Sequence, residues 1–161
     1  MISLVRVDDR LLHGQIICAW VPYMKADSII VASDEAAGDS LVRDIMRACG
    51  HKGLRVEVSG IEDIIHGLSS EAPDGRRAIL IVATLKDAMR IYEKGLKFKT
   101  LNVGNVHHDE GGRVIAPSVV LDREDEAILE RFAGLGVAVD IRDVPVSPPA
   151  GYTPRKKEDA V

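Results

Sequence analysis

With 161 residues, 46% of them hydrophobic, the chain has the length and apolar content of one domain with its own core. Its 21 Lys and Arg stand against 25 Asp and Glu, and the net charge of −4 argues against an electrostatically driven nucleic-acid binder. No apolar run approaches the ~18 residues a membrane span needs. Met1 leads into a strand-like segment rather than a signal peptide, so a cytoplasmic protein without direct membrane insertion is expected.

The first element, Ile2–Val7, is a short apolar run of strand type. A helix beginning near Gly14 follows, with Ile16, Ile17, Trp20 and Val21 on one stripe; Pro22 removes a backbone donor there, so a kink or early stop is expected. Ser28–Ala32 is the second strand. Leu41, Val42, Ile45, Met46 and Cys49 then share one helical face, ahead of a third strand at Leu54–Val58. Ser69–Arg77, with Pro73 and Gly75, has the composition of a surface loop. Ala78–Ala83 is the fourth strand. After it Thr84 and Asp87 form a capping pair for a helix whose Leu85, Ala88, Met89 and Tyr92 face one way. Thr100–Val103 is the fifth strand, and Arg113–Ile115 and Val137–Ile141 are weaker ones. Between these two, Asp122 is a natural N-cap for a helix with Ile128, Leu129, Phe132 and Ala133 along its apolar side. Cys18 and Cys49 lack C-x-x-C or disulfide-framework spacing and lie on apolar sides of helices, so both are expected as plain core residues.

Strands alternating with helices define an α/β domain, and their nearly continuous apolar character indicates a mostly parallel open sheet covered on both faces. One domain over 1–146 is expected, with the proline-rich segment Ser147–Val161 as a loosely held tail.

Ligands of such sheets collect where strand ends lead into helix N-termini. The first such loop reads Val5-Arg6-Val7-Asp8-Asp9-Arg10-Leu11-Leu12-His13-Gly14-Gln15, with two carboxylates, two arginines and a histidine between a buried strand and a helix. At a helix N-terminus the dipole disfavours imidazolium and keeps the His13 ring neutral and nucleophilic, while free amides favour an attached phosphoryl dianion. Arg10 offers a planar, permanently charged fork for its oxygens, and Asp8 or Asp9 could orient Arg10 or the imidazole. Equally open on spacing alone is a helix-capping His13 with Arg10 paired to a carboxylate at the surface. The chain has neither G-x-x-x-x-G-K-[ST] nor G-x-G-x-x-G, so those nucleotide sites have no support.

The segment Val5–Ile16, VRVDDRLLHGQI, resembles the active-site segment of the enzyme IIB subunits of the mannose/fructose/sorbose family of the bacterial phosphoenolpyruvate-dependent sugar phosphotransferase system. The resemblance continues at Asp34-Glu35-Ala36-Ala37-Gly38-Asp39 and at Leu101-Asn102-Val103-Gly104-Asn105, His107 and Glu110-Gly111, and spans nearly all of the chain except the tail. It implies a three-layer α/β/α fold with an antiparallel strand near one edge of the sheet. It also implies a phosphocarrier: enzyme IIA donates a phosphoryl group to His13, on Nδ1, and the group passes to a sugar held by a membrane permease of IIC and IID subunits. Arg10 is then the arginine that steadies the phosphoryl group, with Gly14 and Gln15 beside it, and the covalent phosphoryl group takes the place of any cofactor. The contrasting function is a regulatory phosphoprotein of the same relay that phosphorylates no transported sugar.

Rim contacts are expected from Asp8, Asp9, Ser33, Asp34, Thr84 and His107, with helix capping as the plain alternative for Ser33 and Thr84. His107-His108-Asp109-Glu110 carries four potential ligands in succession, but loop neighbours cannot all face one ion, and no metal site is assigned. His51 and His66 are read as ordinary surface or helix-end residues.

Overall fold

Strands without polar alternation must bury both faces. Six of them do so here in one all-parallel sheet: β1 (Ile2–Asp8), β2 (Ser28–Ala32), β3 (Arg55–Ser59), β4 (Ala78–Val82), β5 (Thr100–Asn105) and β8 (Ala138–Ile141), in spatial order β3-β2-β4-β1-β5-β8. The structure is a computed structural model that describes residues 1–68 and 75–156. Every residue of β2 and β4 is buried, and each wholly buried Ile, Leu or Val there contributes roughly 1.5–3 kcal/mol. The antiparallel component is a separate hairpin, β6 (Arg113–Ala116) with β7 (Val119–Leu121), joined to the end of β5 through Val106 and Val119.

Helices form the outer layers. One face carries a π-helical stretch, Ile16–Trp20, running into α1 (Val21–Met24), together with α2 (Asp34–Gly38) and α3 (Ser40–Ala48). The other carries α4 (Ile61–Leu68), α5 (Leu85–Glu93) and α6 (Arg123–Gly134). Pro22 is tolerated because the wide turn just before it moves carbonyls away from the ring, and the helix ends soon after, with Lys25 at φ 51°. Asp122 and Asp125 cap α6 reciprocally, and the Thr84 hydroxyl accepts from the Asp87 amide at the start of α5.

Two expectations fail on the first of these layers. Cys18 and Cys49 are exposed rather than core: Cys18 lies opposite the buried pair Ile16 and Trp20, and Cys49 falls at the end of a helix that buries nothing completely. On α3 only Val42 and Met46 pack on the core, whereas Leu41 and Ile45 keep 69% and 58% exposure. The helical period holds, but among the described residues no element covers the outer half of that stripe.

Most of the expected loop 69–77 lies outside the described residues, as do 157–161 of the tail. Before that point the tail is tied down: the Ile141 amide donates to Ala150 O, Arg113 to Thr153 O, and Tyr152 and Arg155 both donate to Glu126. Burial and the Glu126 carboxylate push the Tyr152 hydroxyl up to about 12.

The connection after β1 goes to one face of the sheet, while those after its neighbours β4 and β5 lead to α5 and α6 on the other. The C-terminal end of β1 therefore opens into the crevice where such sheets bind ligands.

Candidate active site

Period-2 alternation along β1 sends Val5 and Val7 into one core layer and Arg6 and Asp8 towards Trp20 in the other. Asp8, the last residue of the strand, is wholly buried and organises the loop that follows. Its Oδ1 accepts from the Arg10 amide and Nε, both at 3.1 Å. Its Oδ2 accepts from Arg6 Nη2 at 3.0 Å and Nε at 3.3 Å, from Arg10 Nη2 at 3.1 Å, and meets His13 Nε2 at 2.8 Å. A tight turn closes with Leu11 N donating to Asp8 O at 2.9 Å, and Leu11 sits at φ 57°, a strained position for a branched residue that the Asp8 contacts hold in place.

Burial works to raise the Asp8 carboxyl, but hydrogen bonds from Arg10 and His13 and the charge of Arg6 outweigh it and hold the group below the usual carboxylate range. An ionised carboxylate only accepts, so the 2.8 Å contact puts a proton on His13 Nε2, and the tautomer this selects for a neutral ring has its lone pair on Nδ1. The ring is 19% exposed, accessible at its edge and fixed by its buried end. Helical hydrogen bonding begins with Ile16 and Ile17 donating to His13 O, so the Gly14 and Gln15 amides precede it in the first turn. Gln15 also accepts weakly from Arg10 Nη2, at 3.5 Å.

Asp9 plays a different part from its neighbour. Its carboxylate accepts from Asn105 Nδ2 and from the His107 amide, the latter at 2.8 Å, and His107 Nδ1 lies 3.2 Å away. Asp9 thus staples the loop to the end of β5 and does not touch Arg10 or His13 through these bonds. Ser33 and Thr84 cap α2 and α5, and Asp34 accepts from the Ile61 amide at the start of α4 and from Arg90. The structure therefore gathers Asp8, Arg10, His13, Gly14 and Gln15 in one loop with Asp9 and His107 alongside, while Ser33, Asp34 and Thr84 are engaged in helix starts.

Sequence reasoning assigned no role to Arg6, Asn102 or Gly104. Arg6 is wholly buried, with Nη1 donating to Asn102 Oδ1 at 2.5 Å and to Arg142 O at 3.3 Å, and with its guanidinium 5.2 Å from the Trp20 ring centre. Burial pulls Arg6 below its ordinary value against the pull of Asp8. Gly104 is the space the guanidinium fills: a Cβ there would lie 2.0 Å from its central carbon. The signal was present, since an arginine inside an apolar strand must be paired and Asp8 shares its face two residues on.

His108 also finds partners invisible from local sequence. Its Nε2 lies 2.6 Å from Asp125 Oδ2, with Asp122 Oδ2 3.8 Å from Nδ1. The hydrogen bond to Asp125 pushes His108 up, while burial raises Asp125 itself. The three side chains could converge on a cation, but both carboxylates are already committed to the α6 cap, at a helix end whose dipole repels cations.

At the carboxyl edge of an open parallel sheet, a buried, ionised aspartate thus holds one nitrogen of a partly exposed histidine beside an arginine, at a helix start in an α/β protein. Residues 2–154 match the family model described as the sorbose subfamily IIB component of the phosphotransferase system, and the chain belongs to that family. It is 31% identical over 147 residues to the N-acetylgalactosamine-specific phosphotransferase enzyme IIB component 2 of Escherichia coli K12, covering 91% of this chain and 93% of that protein. It is 28% identical to the mannose-specific EIIAB component of the same organism over 92% of this chain but only 46% of that longer protein. The crystal structure of the N-acetylgalactosamine-specific IIB component 1 from Escherichia coli superposes with a TM-score of 0.89 at 30% identity, over 95% of this chain and all of that one. The chain is thus a phosphotransferase-system IIB component, a phosphotransferase subunit that works with other subunits of that system in sugar uptake. Among the described residues no helix is long and apolar enough to cross a membrane.

Proposed function

We propose that this chain is a cytoplasmic phosphocarrier that takes a phosphoryl group from enzyme IIA on His13 Nδ1 and delivers it to a sugar entering through a IIC/IID permease. The observation that carries the reading is the 2.8 Å contact between His13 Nε2 and the buried Asp8. It supports Nδ1 as the nucleophile, with the Arg10 guanidinium and the first-turn amides as the donors that a dianion there would draw on. Transfer between two histidines is mainly alignment and charge stabilisation, so no metal is needed. The relay also calls for moderate stabilisation, because a deep trap would stop the second transfer. An exposed strand-to-helix loop that a partner must complete suits that demand.

Incubation with phosphorylated IIA should give an acid-labile, base-stable label that disappears in His13→Ala. A label persisting in that variant, or mapping to His107 or His108, would overturn the assignment. Transport and regulation part company in a gene deletion: loss of uptake and phosphorylation of one sugar supports the carrier. Normal uptake of every hexose and hexosamine tested, with altered gene expression, supports the regulatory alternative.

A further inference from the structure

We infer that Arg6 is a positioning residue for this transfer: its buried guanidinium, seated over Gly104 and anchored on Asn102, holds Asp8 against His13 Nε2 and offsets the carboxylate's charge. The inference rests on the reading of His13 as the phosphoryl carrier. The Arg6 guanidinium donates to Asp8, Asn102 and Arg142 O but not to the His13 ring, and acts through Asp8.

The geometry separates two duties of the arginines. Arg10 lies in the loop with 41% of its side chain exposed, where an incoming phosphoryl group can reach it, whereas Arg6 is at 0% beneath the carboxylate. Two guanidinium groups against one carboxylate leave the site with an excess positive charge when the imidazole is neutral. The charge of Asp143, beyond β8, also acts on Arg6, and Asp140 is paired with Arg142 and accepts from Asn102 Nδ2. During transfer the Nδ1 lone pair forms the new P–N bond as the donor phosphohistidine's P–N bond breaks, and that bond's electron pair returns to the donor ring nitrogen. The Nε2 proton stays between the ring and Asp8, so no proton need leave the site, and the ring becomes cationic against the carboxylate.

Arg6 decides how strongly Asp8 pulls on the free ring. With its charge removed, Asp8 favours imidazolium more strongly, Nδ1 stays protonated to higher pH, and the nucleophile is lost in the range where it is needed. The cradle is specific to this arrangement, because any side chain at position 104 would displace the guanidinium.

The test is the pH–rate profile of label acceptance from phosphorylated IIA, with one donor preparation for all variants so that the donor's own titration cancels. In Arg6→Met the acid limb should move up by about one pH unit, about a tenfold loss of rate on that limb. Arg6→Lys, which keeps the charge but not the fork, should restore the position of the limb at a lower plateau. Gly104→Ala should shift the limb in the wild-type background and add nothing in Arg6→Met. A wild-type profile in folded Arg6→Met, with only a lower melting temperature, would make Arg6 purely structural and overturn the inference. Should Arg6→Met fail to fold by far-UV circular dichroism, Gly104→Ala and Arg6→Lys decide: an unshifted limb in the former, or a shifted one in the latter, has the same consequence. A wild-type label away from His13 would instead remove the carrier reading itself.

Discussion

Asp8→Asn is the most informative single perturbation of the site. The carboxylate accepts five hydrogen bonds from Arg6 and Arg10 and shares a sixth with His13, and its side chain is fully buried, so solvent does not screen the loss. Substituting an amide turns one acceptor oxygen into a donor facing guanidinium or imidazole N–H groups and leaves the buried Arg6 charge without its counter-ion. Breaking a buried pair from one side costs about 3–5 kcal/mol, a large share of the roughly 5–15 kcal/mol that stabilises a domain of this kind. At roughly 2–4 °C per kcal/mol the melting temperature should fall by about 6–20 °C. The pH dependence carries the same signature. Asp8 is held below its ordinary 3.8, so its contribution is complete above that value and disappears as the pH falls through the lower folded-state value. Thermal melts followed by circular dichroism from pH 2 to 7 should therefore show wild type and Asp8→Asn converging in acid and separating towards neutrality. A melting temperature within about 2 °C of wild type at pH 7 would refute the claim that Asp8 carries the loop.

Arg10→Ala should fold with little loss of stability, because its side chain is 41% exposed, yet slow label acceptance roughly 10- to 150-fold through loss of a charge-assisted clamp worth roughly 1.5–3 kcal/mol. Lysine should rescue it only partly, and equal rates for wild type and Arg10→Ala would reduce Arg10 to an ordinary surface charge. The His108–Asp125 pair gives the opposite pH sign from Asp8: with His108 raised above 6.5, its stabilisation is complete below that value and lost as the pH climbs through the folded-state value. Melts of wild type and His108→Ala should thus differ most near pH 6 and converge in base, and a gap that stays constant from pH 5 to 9 would contradict the pairing.

The part of the site that was readable from sequence is contiguous. Asp8, Arg10, His13 and Gly14 lie within one strand-to-helix loop, where the chemistry of each residue and the position of the loop in an α/β sheet point the same way. Which carboxylate held the imidazole was not readable, because Asp8 and Asp9 are neighbours and only the pleat of β1 turns one towards His13 and the other towards Asn105. Arg6 with Asn102 and His108 with Asp125 are tertiary pairs, 96 and 17 residues apart, and no local pattern reports them. The strands were legible because β4, and β2 after Ser28, are unbroken apolar runs. The three-residue β7 was not, and neither was the five-residue α2, too short to show a period. On α3 the period identified the helix but could not reveal that the sheet covers only half of its apolar stripe.

In the proposed carrier, the buried aspartate selects which ring nitrogen of His13 reacts. Chain labelled with 15N in its histidines, phosphorylated through IIA and observed by 15N–31P correlation, tests it directly. One-bond coupling should appear at His13 Nδ1, with Nε2 still protonated and its proton signal shifted downfield by Asp8. Coupling at Nε2, or at any other histidine, would contradict the account.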